Sequence, residues 1–138
     1  MGGNMADYTL QHYNLDEVGL LQPLKNDLGL KAVGVSLARM EPGFGYPFFH
    51  AHEEQEELFI CLKGSGTMLV GDEEITMKPG DILRVGPAVP RALGNRTKEP
   101  CTFLLLGGLP SNKYADAESM MLINDGIEMV DRNPDWTI

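Results

Sequence analysis

The chain is built from short runs in which apolar and polar residues alternate, each closed by Gly, Pro or Asp. From Leu30 to Ile82 the β-prone runs are Leu30 to Glu41, Pro47 to His52, Glu57 to Lys63, Thr67 to Val70 and Glu74 to Lys78. Runs this short and closely spaced predict an antiparallel sandwich or barrel. The punctuation carries turn chemistry: Gly64-Ser65-Gly66 and Gly71-Asp72 supply positive φ for hairpins, and Pro79-Gly80 suits a type II turn. Two more strands are predicted at Ile82 to Val85 and Thr102 to Leu106. They are linked by Gly86-Pro87-Ala88-Val89-Pro90, whose prolines oppose both a helix and a central strand.

In Leu58 to Leu62 and Phe103 to Leu106 apolar residues occupy both alternation classes, so both strand faces are expected to be covered. One face belongs to the barrel interior; the other is free to bury against a second sheet or subunit, hence an expected homodimer. Residues 1–30 read as an N-terminal arm, with an edge strand at Tyr8 to Tyr13 and a short helical turn between Leu15 and Leu28 kept brief by Pro23 and Gly29. Residues 31–108 form the barrel. Residues 109–138 form a C-terminal extension packing on it, with one edge strand at Ile127 to Val130.

A length of 138 residues suits one domain and hence one main site. The 20 acidic residues against 11 Lys and Arg give a formal net charge of −9, a field that repels phosphate backbones, so no nucleic acid is expected. No apolar run approaches a bilayer span and Met1 to Met5 lacks the pattern of a signal peptide, so no membrane association and a cytoplasmic location are expected. Cys61 and Cys101 each sit in an apolar run, where a free thiol packs as a small hydrophobe.

Chemistry concentrates at His50-Ala51-His52. Side chains at i and i+2 of a strand share a face, so both imidazoles can turn toward one point, and pairing of the next strand can bring Glu57 beside them. Two His and a carboxylate suit a divalent Fe, Mn, Zn or Ni ion and leave coordination positions open. A His-x-His pair alone is common and not specific.

The surroundings make it specific. Gly45-Tyr46-Pro47-Phe48-Phe49-His50-Ala51-His52, with Glu57 and Gly64, resembles the first conserved motif of the cupin superfamily, and Gly71 through Pro79-Gly80-Asp81 to Asn95 resembles the second. The likeness covers roughly residues 32 to 107. It implies an all-β fold: a single cupin (double-stranded β-helix, or jelly-roll) barrel of two antiparallel sheets with short N- and C-terminal arms. It also implies a metal held inside by two His and a Glu of the first motif and a third His of the second.

The chain departs from that pattern at one ligand. Arg91 stands where the third histidine belongs, four residues before Asn95, and a guanidinium offers a metal no lone pair. Two readings follow. In the first, His50, His52 and Glu57 hold a metal while Arg91 orients an anionic substrate, with dioxygenase- or isomerase-like chemistry on a small molecule. In the second, Arg91 pairs with Glu57, its charge replaces the metal's, and the barrel is a non-catalytic small-ligand binding or sensing module. Pro42-Gly43 is also offset by one residue relative to His50, which implies an altered turn before the metal strand.

Other residues have plainer readings. Phe48, Phe59 and Met68 are placed to wall a substrate cavity, or simply to fill the core. Glu53, Glu54 and Glu56 are alternative carboxylate ligands but read, with Gln55, as a solvated rim; His12 reads as a structural or exposed histidine, and Arg39 and Arg84 as solvent-facing or paired charges, either able to join Arg91 in receiving an anion.

Overall fold

In a computed structural model of the protein, residues 6–110 and 127–138 are described. They form ten strands and one short helix: β1 (Gln22–Pro23), α1 (Lys25–Leu28), β2 (Val33–Met40), β3 (Phe49–Ala51), β4 (Glu56–Lys63), β5 (Gly66–Val70), β6 (Glu73–Met77), β7 (Ile82–Val85), β8 (Arg91–Gly94), β9 (Cys101–Gly108) and β10 (Glu128–Val130). Two antiparallel five-stranded sheets result, one in the order β1-β2-β9-β4-β7 and the other β10-β3-β8-β5-β6. This is the expected all-β, double-stranded barrel.

Strand alternation fixes what each face buries. Along β9, Cys101, Phe103 and Leu105 point inward while Leu104 points out, and in β4 Phe59 and Cys61 point inward. They meet Met68, Met77 and Leu93 of the opposite sheet in one core. Each such buried side chain contributes roughly 1.5–3 kcal/mol of transfer free energy. The reversals use glycine where the backbone requires it: Gly64, Gly71 and Gly80 all have positive φ, at 65°, 59° and 95°.

The arms cover the outer faces. Val18 and Leu24 of the N-terminal segment pack on Leu37, Leu62 and Leu104 outside the first sheet, and the Thr102 hydroxyl donates to Leu15 O at 2.6 Å. This part of the doubly apolar strands is therefore covered by the chain's own arm. Outside the second sheet, Trp136 packs with Phe49, Leu69 and Ala92. The ring lies so close to the backbone of Gly45 and Gly94 that a Cβ at either would come within 2.4 Å of it, and its Nε1 donates to Tyr46 O at 2.8 Å. The extension expected over 109–138 includes 111–126, and the N-terminal tail is 1–5; both stretches lie outside the described residues.

Three elements differ from expectation. Tyr8 to Tyr13 forms no strand: Tyr8 and Leu10 are exposed, and no neighbouring strand pairs with the segment. Strand β8, where no strand is expected from the sequence, pairs with both β3 and β5; Pro90 and Asn95 bracket it so tightly that no run shows in the sequence. Strand β1 contains Pro23, tolerated because β1 is an edge. Among the described residues no helix is long and apolar enough to cross a membrane.

Candidate metal centre

His50 lies in β3, and His52 follows just beyond its end, anchored by its backbone N–H donating to Pro87 O at 2.8 Å. Because Phe49 points to the outer cluster, His50 points into the barrel. Glu57 shares the inward parity of Phe59 on β4, in the other sheet. The three side chains therefore meet across the barrel interior. The sequence reading had β3 and β4 pairing side by side; instead they belong to facing sheets, so convergence comes from barrel closure.

The ligand atoms all lie within 4.8 Å of one another. His50 Nε2 and His52 Nε2 each stand 3.3 Å from the same atom, Glu57 Oε1. Ligand atoms bound to one ion at about 2.0–2.2 Å, near tetrahedral or octahedral angles, are separated by roughly 3.0–3.5 Å. The donor set therefore fits a first-row divalent ion at the two contacts through Glu57. Two neutral imidazole lone pairs and a carboxylate cannot satisfy one another unless a proton or a cation lies among them.

Electrostatics prepare the carboxylate. Burial pushes the Glu57 carboxyl upward, but hydrogen bonds to His50 and His52 and their charges together outweigh it and hold the pKa down at about 2. Glu57 is thus ionised throughout the neutral range. His50 is packed edge-on against Phe48, ring centroids 6.0 Å apart, while its buried Nδ1 has no hydrogen-bond partner among the described residues. Packing and Glu57 orient the ring.

Arg91 sits directly opposite His50 in the β3–β8 register, fully buried. Its Nη2 donates to Gly86 O at 2.6 Å and Val85 O at 3.5 Å, its Nη1 to Pro87 O at 3.3 Å, and its Nε lies 3.6 Å from Glu57 Oε1. The guanidinium is thus aimed at the β7–β8 loop and at Glu57. Asn95, the other marker of the second motif, is also fully buried and ties the β8–β9 loop through Nδ2 to Met40 O and Glu99 O. Its role is structural.

A cavity of about 340 Å³ opens at the His50, His52 and Glu57 end of the barrel. Tyr46, Phe48, Phe59, Leu93 and Leu105 wall it, and Leu20 and Leu21 of the N-terminal arm reach its edge. Phe48 and Phe59 thus line it, whereas Met68 is in the core and neither it nor Arg91 is on the cavity wall. A larger depression of about 420 Å³ beside Leu58 and Arg84 touches Glu57 but neither histidine.

Two contributors were not legible as site residues. Gln55, read as rim, is only 2% exposed, with its Nε2 3.1 Å from both ring nitrogens of His52. A Cβ on Gly107 would come within 2.4 Å of the Gln55 amide, so the missing side chain there makes its slot. Tyr46 donates its hydroxyl to Leu20 O at 2.8 Å, tying the arm to the cavity; burial and the Glu57 charge push its phenol pKa up. Both lie within the first motif's span, but only closure of the barrel shows what they touch. Elsewhere, Glu56 pairs with Arg84 and Arg39 with Glu41 at the surface, Glu53 is exposed, and His12 is exposed and apart from the cluster.

The model for a cupin domain matches residues 36–107, more than half of the chain. The chain belongs to the cupin superfamily. An uncharacterised protein of Methanocaldococcus jannaschii is 29% identical over 89 residues, covering 64% of this chain and 70% of its own length. The structure of a cupin protein from Bacteroides fragilis superposes with a TM-score of 0.69 at 27% identity, over 77% of this cupin and 87% of that chain. A sugar phosphate isomerase of the cupin superfamily from Silicibacter pomeroyi is 33% identical with a TM-score of 0.58, covering 64% of this chain. The match spans only 57% of that isomerase.

Proposed function

We propose that this cupin holds one divalent ion, Fe, Mn, Zn or Ni, through His50, His52 and Glu57 and uses it on a small molecule bound in the adjoining cavity. The observation that carries the reading is the convergence of both Nε2 atoms on one carboxylate oxygen at 3.3 Å, at the edge of a largely apolar cavity. When bound, the ion supplies Lewis-acid polarisation of a substrate oxygen. Isomerase chemistry, as named for the Silicibacter relative, and dioxygenase chemistry are both compatible with such a centre.

The chain's own residues have distinct parts. Glu57 contributes the negative charge, kept ionised by its neighbours. Gln55, with its Nε2 3.1 Å from both ring nitrogens of His52, fixes that ring, and Tyr46, protonated and engaged with Leu20, keeps the arm against the cavity. Three protein ligands leave positions open for substrate.

A second reading has its own observation. Arg91 Nε at 3.6 Å from Glu57 Oε1 allows the guanidinium to neutralise the carboxylate without metal, giving a binding or sensing barrel. Metal analysis of protein purified without chelator separates the two. One equivalent of metal, lost in His50→Ala and His52→Ala, is expected. Substoichiometric binding of every first-row ion, unchanged in both variants, would overturn the metal reading. The expected homodimer would use the outward Leu58, Ile60 and Ile82, beyond the arm's cover; a monomeric mass by light scattering refutes it.

A further inference from the structure

We infer that the molecule bound in the 340 Å³ cavity is a small, flat, largely apolar compound with a single oxygen-bearing head, and that it carries no second charged group such as a phosphate. This rests on the reading of His50, His52 and Glu57 as the reactive end of that cavity. The size is at the small end of the roughly 300–1,000 Å³ range of ligand sites.

The wall carries the argument. Tyr46 and Phe48 stack with ring centroids 6.1 Å apart and planes within 13°, and Phe48 meets His50 edge-on at 6.0 Å, so a ladder of rings leads to the ligand cluster. Leu93, Leu105 and Phe59 supply more of the lining. A flat ring fits such a wall by stacking and edge contacts.

Polar recognition is confined to one end. The cavity's polar side chains are His50, His52, Gln55, Glu57 and Tyr46, and the Tyr46 hydroxyl is already donating to Leu20 O. Among the described residues no Lys or Arg lines the cavity. Arg91, the cation expected to receive an anion, has its guanidinium directed to three loop carbonyls and Glu57, off the wall. A phosphate inside the cavity would lie against leucine and aromatic carbon with no cationic side chain among the described residues to pair with it, and sugar hydroxyls placed there would exchange water for few partners. Sugar phosphates are therefore poor ligands, despite the name of the Silicibacter relative.

Isothermal titration of the full chain, once loaded with Zn and once treated with chelator, tests this with catechol as the aromatic probe and ribose 5-phosphate as the phosphate probe. Catechol is expected to bind the Zn-loaded protein at least about tenfold more tightly than ribose 5-phosphate. Leu21→Lys, at a half-exposed position on the rim, is expected to weaken catechol and strengthen ribose 5-phosphate, narrowing or reversing the ratio. Equal or tighter binding of ribose 5-phosphate by the unmodified chain overturns the inference, and so does the absence of catechol binding at millimolar concentration. The two readings fail separately. If no Zn binds but catechol still outcompetes ribose 5-phosphate, the metal reading falls and the apolar wall stands. If Zn binds and ribose 5-phosphate wins, only the present inference falls.

Discussion

Replacing Arg91 by Met should make the stability of this cupin depend on metal. Methionine approximates the side-chain volume and leaves the core packed, so the change isolates the charge. At 3.6 Å from Glu57 the guanidinium gives an attraction of about 5 kcal/mol at an effective dielectric constant near 20. Its bond to Gly86 O at 2.6 Å adds roughly 1.5–3 kcal/mol as a charge-assisted contact. Desolvation offsets much of both, and the net cost of removing one member of a buried pair is about 3–5 kcal/mol. The loop carbonyls lose less, because Pro87 O keeps the His52 N–H and Gly86 O keeps the Val89 N–H.

Urea denaturation followed by Trp136 fluorescence measures this, since that side chain lies outside the second sheet and away from the ligand cluster. With chelator, Arg91→Met should lose about 3–5 kcal/mol against the parent; an ion at a hundred times the variant's dissociation constant should return about 2.7 kcal/mol to it, and less to the parent, whose Arg91 charge opposes the ion. The double variant Arg91→Met/Glu57→Gln should be more stable than Arg91→Met alone, because the carboxylate that lost its guanidinium neighbour is then removed as well. A loss below about 1 kcal/mol in chelator, or an equal loss with and without metal, would falsify the pairing argument.

Further outcomes follow from the structure. Metal retention should fall on acidification, because protons compete with the ion for the ligand nitrogens. No separate carboxylate step is expected near pH 4.5, because Glu57 is held at about 2. In metal-free protein its depressed pKa contributes stability that is present above 4.5 and lost as pH falls from there toward 2, which acid titration of the unfolding midpoint will follow. Burial pushes the Cys61 and Cys101 thiols up to about 11 and about 12, so a thiol reagent at pH 8 should label them only after unfolding. Their raised values also predict a loss of stability as pH rises above 9, where the unfolded thiols ionise first. Gly94→Ala, whose Cβ would meet the Trp136 ring at 2.4 Å, should cost about 1–3 kcal/mol and shift Trp136 emission to the red. Gln55→Ala should weaken metal binding roughly 10- to 100-fold with little change in metal-free stability, while Gln55→Glu restores part of it; equal affinity in both variants and the parent would remove Gln55 from the site.

The legibility of the molecule follows the range of the interactions involved. Turns at Gly64, Gly71 and Gly80 and strands such as Ile82–Val85 are local, set by positive φ and alternation, and they show directly in the residues. Strand β8 is four residues long, and its place between β3 and β5 is fixed by non-local pairing, so no window of sequence reveals it. Tyr8 to Tyr13 has the composition of a strand but finds no edge to pair with, so composition alone misleads there. The cluster of His50, His52 and Glu57 was legible because two of its members share one strand face. Gln55 was not, because its role depends on the missing side chain of Gly107, more than fifty residues away in sequence.

Arg91 joins these threads, because charge arithmetic separates this barrel from one with a complete histidine set. A third histidine would be neutral when ligating, so an occupied site would carry +1 from a divalent ion and Glu57. With Arg91 at 3.6 Å from the same carboxylate, the local sum is +2 when metal is bound and zero when it is not. The metal-free state is then a balanced pair inside the barrel, while the occupied state concentrates positive charge where dielectric screening is weak. Such a site should release metal more readily than a four-ligand centre and should attract a single anionic or strongly polar head to the ion itself. That preference acts at one end of the cavity, because the rest of the lining among the described residues is aliphatic and aromatic carbon. One substitution thus lowers the cost of the empty site and narrows the polar part of its ligand to a single group.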